Sequence, residues 1–223
     1  NTGVLVCHYV EAGTGTWNGG QDVVEGYVVD RVGGAGSDAQ LIVRGMSSDA
    51  AHTTFRFNTS FTVDTSYLNT NVVRRDSVFQ FFPDMVNIGQ LVRVFGALNG
   101  TTMDATAASD TLRELPTPLY GTALGPPNGV VLTINLERVG PLDTGNFAWA
   151  DGGTTPPDPQ NFTLDVDLVV NFPNIDVGSK VTAHVMYRSI DNDFEDCVAS
   201  AFDDLTNGPA VMTLRDRAGG LNV

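Results

Sequence analysis

Lysine is almost absent from this chain: Lys180 is the only one in 223 residues, and 12 basic side chains face 26 acidic ones for a net charge of −14. Polyanions are held by Lys and Arg that neutralise phosphates, so nucleic acid and anionic membrane surfaces are poor partners. The deficit runs the whole length, with a net −5 over residues 1–115 and −9 over the remainder. Glutamate is scarce too. Only Glu11, Glu25, Glu114, Glu137 and Glu195 occur, and every other acid is Asp, which turns favour because its carboxylate accepts hydrogen bonds from nearby amides. No apolar run approaches the ~20 residues of a membrane span. The chain begins at Asn1 without an initiator Met and contains no signal peptide, and it is expected to be a mature, processed segment. Motifs of chemistry are missing as well. There is no Gly-x-Ser-x-Gly or Cys–His signal of a hydrolase, and Cys7-His8 lacks the upstream cysteine that haem attachment requires. A non-enzymatic protein without an organic cofactor is expected.

Cysteine is limited to Cys7 and Cys197, at opposite ends of the chain. A bridge between them would tie the N-terminal segment to the far end and would fit an oxidising compartment. Two buried free thiols are the alternative.

What the chain does contain is β structure. Val23-Val24-Glu25-Gly26-Tyr27-Val28-Val29, Leu41-Ile42-Val43, Thr54-Phe55-Arg56-Phe57 and Leu91-Val92-Arg93-Val94-Phe95 are short, β-branched or aromatic runs, and none sustains a helical period. Gly33-Gly34-Ala35-Gly36, Asn99-Gly100, Asn128-Gly129 and Gly152-Gly153 supply turns between them.

The runs also repeat. Phe61-Thr62-Val63-Asp64 returns as Phe162-Thr163-Leu164-Asp165; each copy continues to a Phe-Pro pair, Phe82-Pro83 and Phe172-Pro173, and then to a turn glycine, Gly89 and Gly178. The opening Gly26-Tyr27-Val28-Val29 is echoed by Tyr120-Gly121-Thr122-Ala123. Asp84 to Ile88 and Ile175 to Val177 are placed where one helical turn would plug a barrel end. The copies differ by insertions, one around Leu68 to Gln80 and the other from Gly140-Pro141 to Pro156-Pro157-Asp158-Pro159, as loops of a shared fold tolerate. The expected division is an N-terminal strand segment at 1–21, a first module at 22–114, a Pro-rich connector at 115–118, a second module at 119–205 and a tail at 206–223.

The stretches Gly26-Tyr27-Val28-Val29-Asp30-Arg31-Val32, Phe61-Thr62-Val63-Asp64 and Val86-Asn87-Ile88-Gly89-Gln90-Leu91-Val92-Arg93-Val94-Phe95-Gly96 resemble small secreted bacterial domains of unknown function with an OB-like barrel, often found in tandem. The likeness covers 22–114 more fully than 119–205. It implies an all-β chain of two tandem OB-like Greek-key barrels or sandwiches with an extra N-terminal strand, and an exported location. It implies no catalytic residue.

Candidate sites are few. Asp191, Asp193, Glu195 and Asp196 form the densest run of carboxylates and could hold calcium, which takes six to eight oxygens, although the spacing and central Gly of a calcium loop are missing. A solvated hairpin is the plainer reading. Asp165 and Asp167, at i and i+2, would share one face of a strand and could suit acid–base work or simply face solvent. His8, His52 and His184 have no metal spacing, and His184 should point outward. Trp17, Tyr67, Phe147 and Trp149 fall in loops, where aromatics stack on sugars, anchor interfaces or close a barrel end. Asn58, Asn99 and Asn161 begin glycosylation sequons that arise readily by chance.

Two functional classes follow. One is a non-catalytic structural protein of the cell exterior, a filament or surface-layer subunit that self-associates through Val4, Leu5, Val6, Tyr9 and Val10, a strand with no counterpart in the second copy. The other is a secreted binding module for saccharide or divalent metal.

Overall fold

A computed structural model describes residues 20–34, 36–51, 53–74, 82–151, 155–169, 172–188 and 195–206. They form thirteen strands: β1 (Asp22–Val32), β2 (Gln40–Ser48), β3 (Phe55–Thr65), β4 (Asn71–Arg74), β5 (Leu91–Asn99), β6 (Thr102–Ala105), β7 (Thr111–Leu115), β8 (Thr117–Ala123), β9 (Val131–Val139), β10 (Leu142–Asp143), β11 (Phe162–Asp165), β12 (Lys180–Tyr187) and β13 (Cys197–Asp204). Only single 3-10 turns interrupt them among the described residues. The all-β expectation is met.

The first sheet closes on itself. β1 pairs with β2, β2 with β3, β3 in parallel with β6, β6 with β5, and β5 back to β1. The register runs from Asp22 to Gly96 across β1 and β5, from Ala97 to Asp104 across β5 and β6, then through Asp64 and Gln40 to Val32. One circuit therefore returns to β1 about ten residues further along, the stagger that tilts the strands of a closed barrel. The second sheet follows the same order: β8–β9–β11–β13–β12, with β11–β13 the parallel pair and β12 returning to β8. Its parallel contact is short, Leu164 opposite Cys197 and Asp165 opposite Val198.

The repeat read from the sequence occupies equivalent places. Phe61 and Val63 on β3, and Phe162 and Leu164 on β11, are all fully buried. Burying apolar side chains of this size contributes ~1.5–3 kcal/mol each, so the shared motif supplies both cores. Gly26 and Gly121 lie on the equivalent first strands β1 and β8, where a Cβ would meet the Arg44 carbonyl at 2.3 Å and the Asn135 carbonyl at 2.6 Å. At the barrel ends the expected helical turn forms in the first copy only. Pro83–Met85 makes a 3-10 turn that drives Val86 and Ile88 into the core. The second copy buries Ile175 from residues 172–176 without a helical turn, since a shorter loop carries its plug directly.

The insertions account for most of the asymmetry. β6 and β7 run in succession along β5, separated by residues 106–110, and β3 and β4 run in succession beside them, separated by residues 66–70. The first barrel thus gains a second parallel ladder, β4 on β7, with Asn71 opposite Thr111 and Arg74 opposite Glu114. In the second copy, among the described residues, β13 alone follows β12, with a bulge at Ser200 where residues 106–110 sit in the first. Only Pro116 separates β7 from β8, so residues 115–118 are mostly strand, and buried Thr117 is part of the contact between barrels.

Candidate functional site

The densest set of buried polar groups lies where the two barrels meet, and Gln90 is its centre. Fully buried, Gln90 donates through Nε2 to the carbonyls of Leu115 (2.6 Å) and Leu91 (2.9 Å) and to Thr117 Oγ1 (3.1 Å), while its Oε1 accepts the Tyr187 amide (3.0 Å). Thr117 Oγ1 accepts the Leu91 amide as well. Asn87 donates to the Arg188 carbonyl (3.3 Å), and Arg74 at the end of β4 donates to the Tyr187 carbonyl. These bonds satisfy backbone groups that burial would otherwise leave unpaired, at a cost of ~1–3 kcal/mol each.

Two tyrosines cross the same boundary in opposite directions. The Tyr187 hydroxyl from the second barrel fills the space beside Gly89, where a Cβ would lie 2.3 Å from it; the Tyr27 hydroxyl from the first fills the space beside Gly140, where a Cβ would lie 2.0 Å from it. Both glycines have positive φ, +93° and +56°. The second copy's insertion joins the contact: the Ala148 amide donates to the Val29 carbonyl (2.8 Å), and Arg44 donates to Asn146 Oδ1 (2.9 Å).

Ionisable groups at this boundary are perturbed by burial. Glu114, 4% exposed, has its carboxyl raised to about 7 because desolvation outweighs the attraction of Arg74, whose Nε lies 3.4 Å away. The Tyr187 phenol is pushed well up, chiefly by burial. Arg188 holds Asp165 at 2.8 Å and Glu195 at 3.6 Å.

The residues singled out in the sequence are placed as follows. Cys197 is a buried free thiol at the start of β13, with Sγ 3.9 Å from the Thr163 carbonyl, and burial pushes its ionisation well up. No disulfide occurs among the described residues; Cys7, its expected partner, lies outside them. The Cys197 thiol packs beside β11 and β12. Asp191 and Asp193 also lie outside the described residues. Glu195 faces Arg188, and Asp196 Oδ2 accepts the amide (2.7 Å) and hydroxyl (2.9 Å) of Thr163. Burial raises the Asp196 carboxyl, while those hydrogen bonds oppose the shift. No group of three or more metal-ligating side chains converges among the described residues. Val4, Leu5, Val6, Tyr9 and Val10 are outside the described residues, as are His8, Trp17 and His52.

Asp165 and Asp167 do not share a strand face. β11 ends at Asp165, and Asp167 turns back so that its amide donates to Asp165 Oδ1 (3.0 Å). His184 is exposed on β12, as expected. Three of the loop aromatics pack on other rings: Phe147 lies 5.0 Å from Trp149, Trp149 6.4 Å from Phe162, and Tyr67 stacks 4.6 Å from Phe82. The Trp149 Nε1 donates to the Thr144 carbonyl (2.9 Å).

One open concavity, of about 670 Å³, is edged by Asp22, Asp64, Asp104, Asn99 and Thr102. Its carboxylates fasten the chain. Asp22 accepts the Ala50 and Leu98 amides (2.7 Å each), Asp64 accepts Gln40 Nε2 (2.7 Å), and Asp104 accepts the Thr106 hydroxyl (2.7 Å). Compared with protein-family models and with curated protein sequences, the chain matches none.

Proposed function

We propose that the chain is a non-catalytic structural subunit of the cell exterior, built from two OB-like barrels and self-associating through its N-terminal segment. One observation carries this reading: each copy's insertion is turned onto the other copy, β4 reaching the Tyr187 carbonyl and residues 146–148 reaching β1 and β2. Loops that a binding module would present to a ligand here join one barrel to the other. The apolar run from Val4 to Val10 then supplies a strand able to complete the sheet of another copy. The circular strand order, 1-2-3-5-4 with a parallel 3–5 pair in each copy, supports the OB-like assignment. Sedimentation analysis and electron microscopy test the reading: the full chain assembles, and removal of residues 1–12 leaves monomers. A full chain that stays monomeric at high concentration refutes it.

The second reading is a secreted binding module for saccharide or divalent metal; the open groove edged by Asp22, Asn99, Thr102 and Asp104 offers it a polar surface, although no three metal-ligating side chains converge among the described residues. It predicts that millimolar calcium raises the melting temperature through preferential binding to the folded state. Identical melting curves in calcium and in chelator count against the metal form of this reading.

A further inference from the structure

Three glycosylation sequons occur in the chain, at Asn58, Asn99 and Asn161, and the fold treats them differently. Glycosylation of a folded protein needs two groups within a transferase's reach on a surface loop, the Asn carboxamide nitrogen and the hydroxyl two residues on. Asn161-Phe162-Thr163 offers neither. Asn161 Nδ2 donates to Asp158 Oδ2 (2.8 Å), Phe162 is fully buried, and the Thr163 hydroxyl is held between Oδ2 (2.9 Å) and the amide (2.9 Å) of Asp196. Asn58-Thr59-Ser60 lies inside β3, where Gly45 pairs with Thr59 and Arg44 with Ser60. Asn58 Oδ1 accepts Arg44 Nε (3.4 Å), and the Thr59 hydroxyl donates to the Phe57 carbonyl (3.1 Å). Drawing this stretch into an enzyme breaks a ladder, whereas an exposed turn opens at far lower cost.

Asn99-Gly100-Thr101 is built otherwise. β5 ends at Asn99 and β6 begins at Thr102, so the sequon is the tip of a two-residue hairpin with Asn99 opposite Thr102. Gly100 takes a φ of +64°, which glycine adopts freely, and a Cβ there would meet no atom within 4 Å. Asn99, Gly100 and Thr101 are all exposed, and neither the Asn99 carboxamide nor the Thr101 hydroxyl has a hydrogen-bond partner among the described residues. The turn is anchored through its backbone, the Thr101 carbonyl accepting the Thr62 amide (2.9 Å).

We infer that Asn99, alone of the three sequons, is an N-glycan acceptor of the folded, exported chain. The inference rests on the cell-exterior reading above, since transferases of this class act on chains carried across a membrane. The donor is an oligosaccharide carried on a polyprenyl pyrophosphate. Asn99 Nδ2 forms the bond to the anomeric carbon of the sugar, and the bond from that carbon to the pyrophosphate oxygen breaks. The lipid pyrophosphate leaves with the electron pair, and an Nδ2 proton passes to a base of the transferase. Asn99 also edges the open concavity beside Asp22, Thr102 and Asp104, so a sugar chain on it stands over that groove.

Fractionation of the native cells, with intact mass and electron-transfer fragmentation of the recovered chain, tests the assignment for the wild type and for Asn99→Gln, Thr101→Ala and Thr101→Ser. The wild-type chain outside the cell should carry an oligosaccharide on Asn99 and none on Asn58 or Asn161. The added mass should vanish in Asn99→Gln and Thr101→Ala and persist in Thr101→Ser, which keeps the hydroxyl. An exported chain that is bare at Asn99, glycosylated at Asn58 or Asn161, or still modified in Thr101→Ala overturns the inference while the exterior reading stands. A chain found only inside the cell overturns both.

Discussion

Glu114 is the residue whose chemistry departs furthest from what its position in the sequence suggests. It lies two residues after buried Leu112 on β7 and so shares its inward face, where its Oε2 has Arg74 at 3.4 Å and no hydrogen bond. Its carboxyl titrates at about 7 in the folded chain against a reference value of 4.5, so folding favours the protonated form. The stability this contributes is complete below pH 4.5, falls as pH rises, and is gone above about 7. A shift of this size corresponds to about 3 kcal/mol. Glu114→Gln keeps the shape and removes the charge. The variant should therefore raise the urea midpoint at pH 8, raise it little at pH 5, and flatten the pH dependence between them. A midpoint lowered at pH 8 would mean that the pair with Arg74 outweighs the desolvation of the charge.

At the scale of elements, the turn before β5 fixes how the two barrels approach. Gly89 needs both its positive φ and its missing Cβ, because the ring of Tyr187 occupies the space a side chain would fill. Gly89→Ala should cost about 2–4 kcal/mol, from backbone strain together with the displaced ring. Tyr187→Phe should be neutral or stabilising by about 1 kcal/mol, since the buried hydroxyl has no hydrogen-bond partner among the described residues. Chemical denaturation of the two variants checks the contrast. The strands themselves were legible in the chain, because alternation and turn residues are local signals: Phe61 and Phe162 were readable as equivalent, and so were Gly89 and Gly178. The Gln90 network, the tyrosine contacts and the Glu114–Arg74 pair were not. Each joins residues far apart in sequence, and Arg74 and Ala148 sit on the insertions that differ between copies, where the repeat offers no guide. The expected strand face of Asp165 and Asp167 failed for a local reason, since the chain turns as soon as β11 has completed its short parallel contact.

For the whole molecule, one apolar core runs from Val24 and Phe61 through Tyr27 and Leu119 to Phe162 and Tyr187. Two barrels sharing a core and the Gln90 network should unfold together. Far-ultraviolet circular dichroism and tryptophan fluorescence should give one coincident transition in urea, and separated transitions would show that the barrels are independent. The single residue between β7 and β8 has a further consequence, for covalent continuity. The turn at Asn128–Val130 is exposed, and a protease cutting there leaves β8 attached to the N-terminal fragment. Yet β8 is hydrogen-bonded between β9 and β12 in the other fragment. The polypeptide can be severed between the two halves while neither half is free to leave, so the nicked protein should migrate as two pieces in denaturant and as one particle without it.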